Sequence, residues 1–289
     1  MKNVINYYYN IVINEFKKKE NSFIFYIDGH EFEFVQFYND ANMLLNLYSI
    51  LKSNGKLTYD IIFNKDRVLI TYYEDKPYIL LKKINCNRKQ LDWKDIIDYD
   101  CIVSVKEKLN WKILWKEKLD YYELQLEETG IKYPLLKQSF SYYLGLSEVA
   151  MNLLNYVDYE NVNYCISHKR LEKIDDLFNP LNIIIDSKTR DIAEYIKEKY
   201  FNDDMFLEEV IDFFKNSTFS SDEIYLLLSR LIYPSYYFDI YEKIYREKYS
   251  EKELKKIIKK NADYEAFLKE IYNFMKTLYN IPQIEFLEY

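Results

Sequence analysis

The first third of the chain alternates between apolar and polar positions in the manner of β-strands. The stretch SFIFYIDGHEFEFVQFY (22–38) holds two β-rich runs on either side of Asp28-Gly29, a dipeptide that strongly favours a hairpin turn. Three further runs follow before residue 85: LTYDIIF, RVLITYYE and YILLKKI. The pattern therefore predicts a small antiparallel sheet.

Segments with helical spacing of apolar residues lie before the first of these strands and between the second and the third. Residues 41–55, ANMLLNLYSILKSNG, place Leu44, Leu47, Tyr48 and Leu51 on one face, and Gly55 suits the left-handed conformation that follows many helix ends. A first amphipathic helix is predicted from apolar positions at nearly helical spacing: Val4, Ile5, Tyr8, Val12 and Phe16. The predicted order is one helix and then β-β-α-β-β-β, with a helix packed on the sheet.

From about residue 88 the spacing is helical. One long helix over 106–128, ended by Gly130, is predicted from the stripe Trp111, Trp115, Leu119, Tyr122 and Leu126. Later helices are predicted over 135–157, 203–216, 221–232, 251–260 and 262–279. Ser220 with Glu223, and Ser250 with Glu253, have the spacing of capping boxes. The fold class is therefore α+β, with a small sheet-rich region (1–87) and a larger helical region (88–289).

Composition and charge exclude several function classes. The net charge of −7 leaves no basic footprint for nucleic acid. The three cysteines, Cys86, Cys101 and Cys165, lack metal-site spacing and suit a reducing compartment. No apolar run is long enough to span a bilayer, and the N-terminus has no signal-peptide cleavage pattern. We expect a cytoplasmic product. The 32 tyrosines and 18 phenylalanines are explained mainly by an AT-rich genome, and those of SYYFDIYEKIY (235–245) and of the C-terminal IEFLEY are interpreted as core residues rather than a docking surface.

Residues 164–201 have the outline of a phosphotransferase active-site loop: a strand-like run ending in His168, a loop, an apolar run ending in Asp186, and a helix. Within this region, the segment 179–197 (NPLNIIIDSKTRDIAEYIK), together with 115–154 (WKEKLDYYELQLEETG…) and 226–244 (LLLSRLIYPSYYFDIYEKI), resembles the spore coat-associated kinase-like proteins of the CotS/YutH type, which are related to aminoglycoside phosphotransferases and choline kinases. The resemblance implies a bilobal protein-kinase-like fold, with an N-lobe over 1–87, a C-lobe over 88–289, and an active-site loop at 164–191. It does not imply activity.

The resemblance also indicates where catalytic groups should stand. Relatives carry His-Gly-Asp, with an Asn five residues after the Asp; this chain has His168-Lys169-Arg170 and, five residues on, Asp175. A guanidinium cannot accept a proton at any working pH, so these three positions are degenerate and no catalytic residue is assigned. His168 is interpreted as a loop-packing residue. Asp186 matches the aspartate that holds Mg²⁺ in relatives, but Asp186 or Ser187 could equally cap helix 188–201. Asp191 is expected to be a structural residue or a partner of Arg170 or Lys169, and the alternative is an exposed aspartate at the start of the helix.

The N-lobe also departs from the pattern. A lysine for the phosphates would lie on the strand that contains FEFVQ, and that strand has none. Gln36 and Lys82 are the candidate cofactor-binding residues, although Gln36 cannot neutralise a triphosphate. Gly29 alone does not make a glycine-rich loop and is better explained as a turn residue.

Three hypotheses remain. The first is a catalytically degenerate kinase-like protein that needs no cofactor and binds protein partners, with an assembly role at the spore coat. The second is an active small-molecule kinase that uses ATP and Mg²⁺, with Asp186 and either Asp175 or Asp176 as rearranged metal ligands. The third is an unrelated α+β protein.

Overall fold

The computed structural model describes residues 1–86, 88, 90–104, 110–129, 132–204 and 206–288. Its contacts divide the chain into two compact units. Unit 1 comprises residues 1–101 and 168–184, and unit 2 comprises residues 102–167 and 185–289. Unit 1 therefore extends beyond the predicted boundary at residue 87, and it also includes much of the loop that was assigned to the C-lobe.

The described residues form helices and strands in the order that the sequence predicts, with additions. The helices are α1 Lys2–Tyr9, α2 Ala41–Ser53, α3 Trp93–Tyr99, α4 Trp111–Thr129, α5 Pro134–Leu153, α6 Ile174–Phe178, α7 Thr189–Phe201, α8 Leu207–Lys215, α9 Ser221–Ile232, α10 Ser235–Tyr245, α11 Leu254–Lys259, α12 Asn261–Leu278 and α13 Glu285–Glu288. The strands are β1 Lys17–Lys18, β2 Ser22–Ile27, β3 His30–Gln36, β4 Asp60–Ile62, β5 Thr71–Tyr73, β6 Lys76–Lys82, β7 Tyr164–His168 and β8 Ile183–Ser187.

Unit 1 is built on an antiparallel sheet in the order β1-β2-β3-β6-β4, with β5 also paired to β6. The Asp28-Gly29 hairpin is confirmed: Ile27 pairs with His30, and both turn residues have positive φ, as a two-residue hairpin loop requires. The two-residue strand β1 was not predicted. It forms an earlier hairpin with β2, so Asp28-Gly29 is the second hairpin of the sheet.

The apolar core of unit 1 covers one face of this sheet. Ile5 of α1 and Ile13 pack there against buried sheet residues: Phe23, Phe25, Phe32, Phe34, Tyr78 and Leu80. The prediction that the first helix continues to Phe16 is wrong. Asn10 ends α1 in the left-handed conformation, and Val12 is exposed. In α2, Asp40 caps the N-terminus, and the face with Leu44, Leu47 and Leu51 is buried as predicted.

Unit 2 has a helical core rich in stacked aromatic rings. The predicted stripe on α4 buries Trp115, Leu119 and Tyr122. Residues 105–109, at the start of the predicted helix, and Gly130 lie outside the described residues. The rings of Tyr143 on α5 and Tyr237 on α10 stack at 3.7 Å between centroids. The core interpretation of the tyrosines is therefore confirmed for this helix pair.

The ends of the later helices follow local sequence signals. Ser220 and Glu223 form the predicted capping box at the start of α9. The prediction for Ser250 and Glu253 is wrong: Ser250 starts a short 3₁₀ turn over 251–253, and its hydroxyl accepts from the N–H of Lys252. None of the described helices is long and apolar enough to cross a membrane.

Candidate functional site

His168 ends β7 as a fully buried side chain. Its ring centroid lies 5.2 Å from that of Tyr99, and its Nε2 lies 3.2 Å from the carbonyl oxygen of Leu177, to which it can donate. Both neighbours belong to unit 1. The histidine is thus held by an aromatic ring and the main chain of the loop that follows it.

The next two residues, Lys169 and Arg170, lie in a loop closed by Asn182, and the Lys169 ammonium donates back to the carbonyl of Leu181 at 2.8 Å. The backbone N–H of Lys169 donates to the carbonyl of Asn182 at 2.8 Å, and that of Arg170 donates to its side-chain Oδ1 at 3.1 Å. The Asn182 amide donates in return to the Arg170 carbonyl at 2.6 Å. Because Arg170 carries a guanidinium, this well-defined loop presents no general base at the position where relatives carry the catalytic aspartate.

The two aspartates considered as substitutes lie in the first turn of α6. The sequence DDLF just before a proline is typical of a solvated turn, but it forms this short helix instead. Asp176 stabilises the loop, because its Oδ2 accepts from the N–H groups of Glu172 and Lys173 at 2.9 and 3.0 Å. Asp175 is half-buried, and its carbonyl accepts from the Tyr59 hydroxyl at 3.2 Å.

The two candidate cofactor-binding residues lie on the sheet of unit 1. Gln36 donates its amide N–H to the Tyr78 hydroxyl across the β3–β6 pair at 2.8 Å. Lys82 pairs with Phe32 on the same strand pair. Because side chains alternate across a sheet, Gln36 and Lys82 share the face that carries Phe34. They stand four positions apart, or about 13 Å.

Lys83 lies on the opposite face, between two carboxylates that sequence analysis missed. Its Nζ is 2.7 Å from Glu31 and 3.1 Å from Glu33, and only 14% of its side chain is exposed. Burial lowers the pKa of Lys83, but the hydrogen bond to Glu31 and the charge of Glu33 raise it above its ordinary value. One ammonium between two carboxylates leaves this group with net negative charge, which repels phosphate. The pairing depends on strand register, which the sequence alone does not reveal.

Asp186, at the end of β8, is buried in unit 2 and bonded through both carboxylate oxygens. Oδ2 accepts from Arg230 of α9 at 2.6 Å and from Arg190 of α7 at 3.2 Å. Oδ1 accepts from the N–H of Ser187 at 2.7 Å. Ser187 in turn accepts from the N–H of Thr189, at the start of α7. Ser187 thus accepts the first N–H of α7, although the N-cap position itself is Lys188 and Asp186 caps no N–H of this helix. Asp186, Arg190 and Arg230 form a buried ion-pair network, which we call the arginine clamp.

Trp111, the first residue of α4, packs against both guanidinium groups of the arginine clamp. Its ring centroid lies 4.7 Å from Cζ of Arg190 and 4.5 Å from Cζ of Arg230, within cation–π range. Two N–H donors here have no hydrogen-bond acceptor among the described residues, namely Arg230 Nε and Trp111 Nε1. Both atoms are buried.

A second buried ion pair lies next to the clamp. Nζ of Lys197 is 2.9 Å from Glu194 and 2.6 Å from the Ser235 hydroxyl. Burial opposes ionisation of Glu194, but Lys197, Arg190 and Arg230 together lower its pKa to about 2. Burial lowers the pKa of Lys197. Asp191, for which exposure was one interpretation, is buried in the same helix.

The residues around Asp186 do not fit the magnesium ion that the fold family implies. Mg²⁺ needs near-octahedral oxygen ligands at about 2.0–2.1 Å, usually including waters and free carboxylate oxygens. Both oxygens of Asp186 are already bonded, and two guanidinium groups would repel a divalent cation. In the described part of the chain, no group of three or more His, Cys, Asp or Glu side chains is placed to hold a metal.

Sequence analysis did not identify Arg190, Arg230 or Trp111 as site residues. Arg230 lies 44 residues from Asp186, so no local spacing connects them. One signal was available: SDEIYLLLSRLI (221–232) places an arginine inside an otherwise apolar helix. Buried charges in proteins are normally paired, so an isolated arginine there indicates a buried partner elsewhere.

Comparison with solved structures supports the predicted fold. An aminoglycoside phosphotransferase from Alicyclobacillus acidocaldarius superposes with a TM-score of 0.63 at 10% identity, over 96% of each chain. A spectinomycin phosphotransferase, solved with ADP and spectinomycin, has a TM-score of 0.58 at 12% identity, over 99% of this chain and 95% of that one. At these identities the likeness shows the fold alone. The kinase-like fold is therefore confirmed, and the hypothesis of an unrelated fold is wrong.

Sequence comparison identifies the family. The endospore coat-associated protein YutH of Bacillus subtilis is 30% identical over 215 residues, which are 63% of this chain. The match spans 62% of the length of that relative. The family described as "Spore coat putative kinase YutH" matches residues 98–271. The resemblance inferred from the sequence is confirmed, and the chain belongs to the YutH family of spore coat kinase-like proteins.

Proposed function

We propose that this protein is a pseudokinase: a kinase-like chain that binds protein partners in spore coat assembly and does not transfer phosphate. The observation that carries the proposal is the arginine clamp. The aspartate that matches the metal ligand of relatives is buried and neutralised by two arginines. Phosphoryl transfer depends on metal-assisted charge stabilisation and on a carboxylate near the attacking hydroxyl.

Two further features support the loss of phosphotransfer. Arg170 occupies the position where relatives have the catalytic acid, in a loop fixed by Asn182. The sheet presents Lys83 between Glu31 and Glu33, so its charge is already compensated. These features lie in different parts of the chain, and each one disfavours binding of Mg²⁺ with a triphosphate. We therefore expect no cofactor.

A binding role is supported by the outer face of α4. This helix buries one apolar face and exposes another, formed by Ile113, Leu114, Tyr121 and Leu124. Exposed apolar side chains clustered on one helix face are a common feature of protein-binding surfaces. The coat association of the Bacillus subtilis relative supports a coat protein as the partner. We expect synthesis in the cytoplasm and no contact with nucleic acid.

The first prediction concerns turnover. The purified chain is expected to release no phosphate from ATP above background, with or without Mg²⁺. Its melting temperature should be the same in ATP with Mg²⁺ as in ATP with EDTA, because Asp186 is not available to a metal. A coupled phosphate-release assay and a thermal-shift series measure both.

The proposal fails if ATP is hydrolysed or a small-molecule acceptor is phosphorylated in a Mg²⁺-dependent way. Asp175→Asn then distinguishes the source of the activity. Loss of turnover in this half-buried variant would revive the kinase with rearranged metal ligands, Asp186 with Asp175. Unchanged turnover would leave Asp176 as the remaining substitute.

The second prediction concerns the α4 surface. The double variant Tyr121→Asp with Leu124→Asp is expected to lower the amount of tagged protein in purified spore coats at least fivefold. Both side chains are more than half exposed, so the variant should stay folded, with a small loss of stability from the Gln125–Tyr121 hydrogen bond and from the lower helix propensity of aspartate. Lys116→Asp, on another exposed face of α4, is the matched control and should incorporate normally. Normal incorporation of the double variant would exclude α4 as the docking surface.

A further inference from the structure

The arginine clamp contains unsatisfied hydrogen-bond donors in a place where folded proteins rarely leave them. Arg230 is only 3% exposed, and its Nε–H meets no acceptor among the described residues. The indole N–H of Trp111 is also buried and without an acceptor there. A buried donor without a partner costs about 1–3 kcal/mol, and more when the group is charged, so each such donor calls for an explanation.

Both donors belong to one cluster. The guanidinium of Arg230 lies over the Trp111 ring, and that of Arg190 lies over the same ring. Both arginines are bonded to Oδ2 of Asp186. Glu194, a second carboxylate that interacts with both arginines, is itself bonded to Lys197. Asp191 is a further buried carboxylate on α7.

The missing partner must be an acceptor, because both unsatisfied atoms are N–H donors. Guanidinium groups present planar arrays of N–H donors that match the oxygens of phosphate and carboxylate, and such charge-assisted bonds are the strong ones. N–H donors cannot coordinate a metal cation. An oxyanion has the acceptor oxygens that the Arg230 and Trp111 donors lack, and it would add negative charge beside two arginines.

We propose that the cluster of Trp111, Arg190 and Arg230 in unit 2 is a metal-free oxyanion site that accepts a phosphate group. The cluster lies next to Asp186, which matches the metal ligand of the fold family, but it would bind an anion instead of a metal cation. The inference rests on the proposed function in one respect: both require Asp186 to stay paired with the arginines. The phosphate comes either from free inorganic phosphate or from the phosphate group of a larger ligand.

The test follows the indole N–H signals of the three tryptophans by nuclear magnetic resonance in EDTA. The Trp111 signal is assigned by its loss in Trp111→Phe. Inorganic phosphate is expected to shift that signal saturably, with smaller changes at Trp93 and Trp115. Trp111→Phe keeps an aromatic ring at this position but lacks the indole N–H donor. Its phosphate affinity, measured by calorimetry, should therefore fall at least fivefold.

Arg230→Lys keeps the charge but lacks Nε–H, and it should bind phosphate at least tenfold more weakly. The exposed Arg246→Lys is the matched control and should bind normally. ADP in EDTA distinguishes the two sources: tighter binding of ADP than of phosphate identifies a larger ligand, whereas equal or weaker binding identifies the free anion. If Arg230→Lys does not fold, Trp111→Phe decides alone.

An unshifted Trp111 signal, or equal affinity in Trp111→Phe, would overturn the oxyanion site. It would leave the absence of turnover untouched. Conversely, Mg²⁺-dependent turnover would overturn the proposed function. Turnover is measured in a separate assay, without a phosphate titration. The two failures are therefore distinguishable.

Discussion

Asp186→Asn is expected to lower the free energy of unfolding by about 3–5 kcal/mol, because it leaves two buried guanidinium groups without their anion. Asparagine has nearly the same size and keeps one acceptor oxygen, so the loss reports charge rather than volume. Urea unfolding followed by circular dichroism measures the change. The effect is far larger than that of surface ion pairs, since burial removes solvent screening.

The control variant and the double variant both lie in the same helical unit as Asp186. Arg246 forms an exposed pair with Glu242 at 3.7 Å, and Arg246→Met should change stability by less than about 1 kcal/mol. The double variant Asp186→Leu with Arg230→Met removes opposite charges together, so its loss should be smaller than the sum of the two single losses. Equal effects of Asp186→Asn and Arg246→Met would contradict the arginine clamp.

The stability of the chain is expected to fall steeply in acid, and Glu194 should account for much of that slope. Its pKa is lowered from 4.5 to about 2 by Lys197 and the two arginines. A depressed carboxylate pKa contributes stability that is fully present above the unfolded value and is lost as pH falls through the folded value. At about 1.4 kcal/mol per pKa unit, the whole shift corresponds to about 3 kcal/mol.

Unfolding free energies measured between pH 6 and pH 3 test the contribution of Glu194 to the loss of stability in acid. The wild type should lose about 2 kcal/mol through Glu194 between pH 4.5 and pH 3, whereas Glu194→Gln should be less stable at pH 6 and should lose about 2 kcal/mol less than the wild type over that interval. Other carboxylates with lowered pKa values, such as Glu31 and Glu242, keep part of the slope in both proteins. Substitution of an exposed glutamate on α5, Glu148→Gln, is the control and should keep the wild-type slope. Parallel curves for wild type and Glu194→Gln would rule out a depressed pKa at this position.

The elements that depend on local spacing could be predicted from the sequence. The Asp28-Gly29 hairpin, the buried face of α2 and the capping box of Ser220 each arise within a few residues, and all three are confirmed. The capping box expected at Ser250 is absent because the chain there makes a 3₁₀ turn first. Strand β1 has only two residues, too few for alternation to be recognised.

The chemistry around Asp186 could not be predicted in the same way. Its partners come from three helices, and Trp111 and Arg230 are separated by more than a hundred residues. The replacement at Arg170 was visible in the sequence because relatives fix that position within a short motif. Pairing of Lys83 with Glu31 and Glu33 required the register of β3 against β6, which alternation suggests but does not determine.

The arginine clamp also restricts how the chain can evolve. Restoring an acid at residue 170 would take one substitution, yet Asp186 would still be held by Arg190 and Arg230. Removing one arginine leaves Asp186 paired with the other, whereas removing both leaves a buried carboxylate uncompensated and weakens the fold before a metal is bound. A return to metal-dependent catalysis would therefore need several coordinated replacements.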